Sequence, residues 1–147
     1  MFNERVGKRV ATYSISMGVL YLLFGLLEVL NGAGVDGWAG VYETLYVPAD
    51  LIGGIILLFI AAVYLAGISQ QRRGDREGLS FLVVGVLLST VFFGLYVVIM
   101  GANGLGYLLR FEDWLEWIWL DDLRPEIWLF PLLLPGVYMA MKKEWRE

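Results

Sequence analysis

Residues 11–30 read ATYSISMGVLYLLFGLLEVL, an apolar run whose only carboxylate is Glu28. The run follows a basic N-terminus that carries Arg5, Lys8 and Arg9. A helix needs about 20 apolar residues to cross the roughly 30 Å hydrocarbon core of a bilayer. The run is too long for the apolar part of a cleaved signal peptide, which spans about 7 to 15 residues. We therefore interpret it as a retained transmembrane helix.

Three further apolar segments follow, and the sequence predicts transmembrane helices at approximately 10–30, 48–68, 79–101 and 125–142. The fourth contains Pro131 and Pro135, which free backbone carbonyls, so we expect a kinked helix packed against the others. Of the 147 residues, 59% are hydrophobic and 18% are charged, whereas soluble domains carry about 25% charged residues. We therefore expect residues 1–147 to form a single integral membrane domain, an all-α four-helix transmembrane bundle.

The basic residues predict how the chain is threaded. Nine of the eleven Lys and Arg residues fall into three clusters, at the N-terminus, in the middle connection and at the C-terminus. The clusters are Arg5, Lys8 and Arg9; Arg72, Arg73 and Arg76; and Lys142, Lys143 and Arg146. Because cytoplasmic loops are enriched in Lys and Arg, this pattern predicts a multi-pass plasma-membrane protein with both termini in the cytoplasm. We expect a lipid bilayer, and no nucleic acid, among its partners.

The connection that precedes the fourth segment contains FEDWLEWIWL at residues 111–120. On a helix, Glu112, Asp113 and Glu116 would share one arc, opposite Phe111, Trp114, Leu115 and Ile118. The sequence therefore predicts an amphipathic helix at approximately 111–120 that lies flat in the outer membrane interface.

Two segments of the chain have similar sequences. Residues 24–33, FGLLEVLNGA, and residues 93–102, FGLYVVIMGA, are identical at six of ten positions. Apolar helices match by chance more easily than soluble ones, so this is either a duplication or a coincidence. A duplication would make the protein two tandem helical hairpins with the same orientation, related by an axis along the membrane normal.

Small residues predict where helices approach each other. Ser14, Gly18 and Gly25 share a helix face with Glu28, and such residues let helices pack closely in lipid. Gly85 and Ser89 form a similar pair in the third segment. We interpret these five small residues as helix-packing positions.

Four charged residues are candidate binding residues. Glu28 lies about 27 Å along the helix from Val10, near the outer boundary, where it is either an interfacial acid or a functional intramembrane carboxylate. Asp50 and Glu126 follow Pro48 and Pro125 at predicted helix starts, where carboxylates are favoured. Arg124 is one of only two bases on that side. The four residues would either gate an outer vestibule or bind a cation, or they would form an ion pair that locks the hairpins.

The amino-acid composition excludes several kinds of catalytic and metal-binding site. The chain has no Cys and no His, which removes thiol chemistry and the most common ligands of haem, zinc and copper. The inner loop at residues 69–78 has Gly74 among charged residues and no phosphate-binding glycine pattern. We therefore expect a protein that is not an enzyme and that has no catalytic residues, no metal site and no cofactor.

Two functions remain after these exclusions. The first is a structural or accessory subunit that packs with partner membrane helices, and it is the one that we favour. The second is an oligomeric small transporter or channel that uses the outer carboxylates for a cation or small solute. In either case we expect a homo-oligomer or a membrane-protein partner.

Overall fold

The computed structural model describes residues 2–142, so Lys143 and Arg146 of the third basic cluster lie outside the described residues. Within residues 2–142 the chain forms helices and no strands. The α-helices are α1 (Glu4–Gly32), α2 (Ala39–Thr44), α3 (Leu51–Ala66), α4 (Ile68–Arg73), α5 (Glu77–Leu108), α6 (Pro125–Trp128) and α7 (Phe130–Met141). The predicted all-α fold class is confirmed.

Helix α1 begins six residues before the predicted start. The Asn3 side chain caps it by accepting a hydrogen bond from the Val6 N–H at 3.1 Å. Glu4 and Lys8, one turn apart, form an ion pair of 2.6 Å on its first turns. The basic residues of the N-terminus therefore belong to the helix that enters the bundle.

Helices α1 and α3 form the tightest pair, because glycines bring their backbones together. A Cβ at Gly25 would lie 2.9 Å from the Leu58 backbone nitrogen, and a Cβ at Gly54 would lie 2.8 Å from that of Val29. Such close approach is typical of small residues at membrane helix interfaces.

One end of the bundle contains the N-terminus and the α4 turn. Helix α4 ends at Arg73 and is capped by Gly74, whose φ of +75° favours glycine, and the turn places Gly74 against the backbone of Glu4. Gln71 is buried there and donates from Nε2 to the Gly78 carbonyl at 3.0 Å. We call this the basic end, and the opposite end, which contains Glu28 and Asp50, the acidic end.

Helix α5 runs to Leu108, seven residues beyond the predicted end. Its last turns are covered by indole rings, since a Cβ at Gly106 would lie 2.9 Å from the Trp114 ring and one at Gly104 would lie 3.4 Å from that of Trp117. The covering rings stabilise helical turns that contain three glycines within six residues.

The predicted interfacial helix over 111–120 is wrong as a continuous element. The structure instead has two short 3₁₀ turns, Glu112–Trp114 and Trp119–Asp122, separated by irregular chain. The reason is that the indole N–H groups of Trp114 and Trp117 turn inward to hydrogen bond with polar side chains, which a regular amphipathic helix would not allow.

The fourth predicted segment is interrupted at Leu129, which separates α6 from α7 two residues before Pro131. Residues 4–32, 51–73 and 77–108 are long and apolar enough to cross a membrane, whereas Phe130–Met141 is a shorter apolar helix. Three membrane-span candidates are therefore present among the described residues, and a fourth crossing stays a prediction.

Candidate functional site

The structure brings the four candidate binding residues together at the acidic end. Glu28 comes from the last turns of α1, Asp50 from the cap of α3, and Arg124 and Glu126 from the start of α6. All three carboxylates bond to the one guanidinium. We call these four residues the acidic-end cluster. It joins three separate parts of the chain.

Glu28 and Glu126 are the buried members, at 0% and 1% exposure. Arg124 donates from Nε to Glu126 Oε2 at 2.8 Å and from Nη2 to Glu28 Oε2 at 3.3 Å. The other oxygen of each carboxyl group, Oε1, is also buried and has no hydrogen-bond partner. Buried carboxyl oxygens normally have such partners, so each glutamate is half satisfied.

Asp50 differs because it is partly exposed and caps a helix. Its Oδ1 accepts the Gly53 N–H at 2.8 Å, while its Oδ2 accepts from Arg124 Nη2 at 3.0 Å. Burial raises the pKa of Asp50, but the Gly53 N–H and the Arg124 guanidinium outweigh burial and leave that pKa below its ordinary value. Asp50 is therefore a stable negative charge.

An aromatic ring also packs against the Arg124 guanidinium. Its guanidinium carbon lies 3.7 Å from the centre of the Tyr96 ring, a cation–π contact. Burial lowers the pKa of Arg124, but the hydrogen bond to Glu126 and the nearby carboxylates raise it above its ordinary value. A recess of about 180 Å³ opens beside Tyr96 and Arg124, with Asp121 and Asp122 in its wall.

The small residues predicted to pack helices are all buried. A Cβ at Gly18 would lie 2.6 Å from Leu65, and one at Gly85 would lie 2.8 Å from the Tyr64 ring. The Tyr64 hydroxyl also lies 3.3 Å from Ser89 Oγ. Ser14 is fully buried, and its hydroxyl has no hydrogen-bond partner.

A second polar group at the acidic end was not predicted. Asn103 Nδ2 donates to both carboxylate oxygens of Asp122, at 3.0 and 2.9 Å. Trp114 Nε1 donates to Asn103 Oδ1 at 3.1 Å, and Trp117 Nε1 donates to Asp122 Oδ2 at 2.8 Å. The group fastens the irregular loop to α5. A polar Asn103 close behind an apolar segment was the available signal, but the predicted helix ended before it.

The repeated sequence has different surroundings in its two copies. Gly25 and Gly32 lie against the backbone of α3 and its cap, whereas a Cβ at Gly94 or Gly101 would meet no atom within 4 Å. The α5 face that contains Gly94 and Gly101 also presents four exposed apolar side chains. They are Leu87 (58%), Val91 (56%), Val98 (68%) and Leu105 (60%). We call these six residues the open α5 face.

The comparisons with known proteins agree with a membrane-embedded chain. Residues 4–143 match the family described as MJ0565 integral membrane domain. The uncharacterized protein MJ0565 of Methanocaldococcus jannaschii is 25% identical over 114 residues, which cover 78% of this chain and 77% of that protein. No solved structure matches the chain significantly. This chain therefore belongs to the MJ0565 integral membrane domain family and is a multi-pass membrane protein.

Proposed function

We propose that this protein is a non-catalytic accessory subunit that binds a helix of another membrane protein on the open α5 face. The observation that carries the proposal is the difference between the two repeats. In α1, Gly25 and Gly32 lie against α3 and its cap, whereas a Cβ at Gly94 or Gly101 of α5 would meet no atom within 4 Å.

The geometry of the open α5 face suits a helix rather than lipid alone. Its six positions follow a spacing of four and three residues, the seam of a helix pair. Gly94 and Gly101 stand one heptad apart between larger side chains, so an incoming backbone could approach closely there. At the corresponding positions of α1, Gly25 and Gly32 are approached in this way by α3.

The proposed setting is the plasma membrane, with the basic end on the cytoplasmic side. The support is the separation of charge, since Arg5, Lys8 and Arg9 lie near the α4 turn with its own arginines. The acidic-end cluster would then act at the outer surface as a structural lock between the ends of α1, α3 and α6.

Cross-linking tests the proposal directly, because the chain has no Cys of its own. Val98→Cys places a thiol on the open α5 face, and Ala62→Cys places one on an exposed position of α3 as the matched control. In native membranes we expect Val98→Cys, and not Ala62→Cys, to cross-link to one defined membrane protein at fixed stoichiometry.

Two outcomes would contradict the accessory role. A cross-linked species of twice the chain's mass would show that the open α5 face joins two copies of this chain. Equal cross-linking at both positions would show that the face binds no particular helix. Gly94→Leu should release the partner without unfolding the protein, since its side chain would enter open space, whereas Ala62→Leu should leave the complex intact.

A second candidate function is transport of a cation or small solute by an oligomer of this chain. The observation in its favour is that Glu28 and Glu126 each hold a buried oxygen without a partner. Proton and cation flux into liposomes containing the purified protein is the test. Transport through the cluster requires Glu28→Gln to abolish flux while the fold persists.

A further inference from the structure

The acidic-end cluster contains more negative charge than it can neutralise. Three carboxyl groups contact a single guanidinium. Two of them, on Glu28 and Glu126, are almost completely buried. An uncompensated charge in such a place is strongly unfavourable, because water no longer solvates it. Loss of one negative charge would therefore stabilise the cluster.

The two glutamates are the members whose carboxyl groups are buried and only half satisfied. The Oε2 atoms of both accept hydrogen bonds from the one Arg124 guanidinium, so the two carboxyl groups lie against the same cation. Each Oε1 is buried without a donor. Since an ionised carboxylate can only accept hydrogen bonds, two ionised glutamates could not satisfy one another. A single added proton supplies the missing donor.

We propose that Glu28 and Glu126 bind one proton between them at neutral pH, so that a protonated carboxyl pair lies beside the Arg124 guanidinium. Arg124 then balances the one remaining glutamate charge. Asp50 keeps its own charge, which is stabilised by the Gly53 N–H and by partial exposure to solvent.

A proton fits this site better than a metal ion does. The carboxylate oxygens converge on the Arg124 nitrogens, so a metal ion in the middle would lie beside a positive guanidinium. Over residues 2–142 the acidic side chains form no group of three that could hold a metal ion. A proton needs only the space between two carboxyl groups.

The other titratable groups around the pair come from the helices packed against it. Asp50 lies at the cap of α3, Tyr96 of α5 covers Arg124, and Tyr21 is buried in α1 two turns before Glu28. Both tyrosines are neutral phenols at neutral pH. None of these groups supplies a second positive charge, so the charge excess falls on the glutamate pair.

Infrared spectroscopy of the full-length protein in liposomes at neutral pH tests the proposal. A protonated carboxyl group has a C=O stretching band that shifts in D₂O and that carboxylates lack. We expect the band in the unmodified protein and in Asp50→Asn. We expect both Glu28→Gln and Glu126→Gln to lose it, because the glutamate left in each would ionise to pair with Arg124.

Each alternative result overturns the proposal. If the unmodified protein has no such band, the pair binds no proton, and this result needs no variant to fold. If only one of the two Gln variants loses the band, the proton belongs to one residue and is not shared. Circular dichroism of the variants shows that a lost band does not reflect lost helix. Neither result depends on whether the open α5 face binds a partner.

Discussion

Arg124 reaches Glu28 across 96 positions of sequence, with its Nη2 3.3 Å from Glu28 Oε2. The contact ties the start of α6 to the end of α1, and the same nitrogen also bonds to Asp50 at the start of α3. One side chain therefore sets the relative positions of three helix ends. Since long-range contacts of this kind close large loops, the stability of the bundle should depend more on Arg124 than on an exposed arginine of the same connection.

Removing the Arg124 charge should destabilise the bundle strongly. In Arg124→Gln the three carboxyl groups would lose their shared cation, and breaking one side of a buried ion pair costs about 3–5 kcal/mol. We expect a marked fall in the unfolding midpoint in detergent micelles. Arg110→Gln is the matched control, since Arg110 is exposed in the same connection. Equal midpoints for the two variants would contradict the role of the cluster as a lock.

The two repeated glycines should respond differently to the same change. A Cβ at Gly25 would press against the α3 backbone. Gly25→Ala should therefore lower the free energy of unfolding by about 1–3 kcal/mol, as overpacking does at other buried sites. A Cβ at Gly94 would meet no atom within 4 Å. Gly94→Ala should therefore raise the free energy of unfolding by up to about 1 kcal/mol, because alanine has the better helix propensity. Thermal unfolding of both variants in one detergent compares them, and a similar loss at Gly94 would show that its face is already covered.

Acid should weaken the bundle through Asp50, whose pKa lies below its ordinary value. The unfolded chain binds this proton more readily, so the stability from Asp50 is complete above the unfolded pKa of about 3.9 and is lost as the pH falls through the folded pKa. Unfolding midpoints measured from about pH 6 down to about pH 3 should fall less in Asp50→Asn than in the unmodified protein.

Asp36→Asn, at an exposed position of the same end, is the control for that series. It should follow the unmodified protein at every pH. A parallel fall in the Asp50→Asn series would mean that other acids, and not this one, set the acid sensitivity.

Sequence patterns were sufficient to predict the helical class and the meeting of Glu28, Asp50, Arg124 and Glu126. The length of each apolar run and the positions of the charged residues can be read directly from the sequence. The helix boundaries predicted from them placed these four residues at one depth. Tyr96 was missed because a tyrosine in an apolar run gives no signal of a cation above its ring. Which face of α5 stays bare could not be read either, since Gly25 and Gly94 have nearly the same local sequence.

The helix predicted over 111–120 failed for a related reason. An amphipathic pattern measures only the segregation of apolar and acidic residues, and it cannot show that an indole N–H has a better partner elsewhere. Trp114 and Trp117 find theirs in Asn103 and Asp122, which lie on either side of the predicted element. Satisfying these donors was worth more than continuing the helix.

The Asp122 carboxylate should therefore control the order of this loop. It accepts three hydrogen bonds, two from Asn103 and one from Trp117, and bonds to a charged acceptor contribute about 1.5–3 kcal/mol each at most. In Asp122→Ala we expect faster amide hydrogen exchange over residues 110–123 and a red shift of tryptophan emission. Asp113→Ala removes an exposed acid from the same loop and should change neither. Exchange that rises equally in both variants would show that loss of loop charge, and not the hydrogen bonds to Asp122, opens the loop.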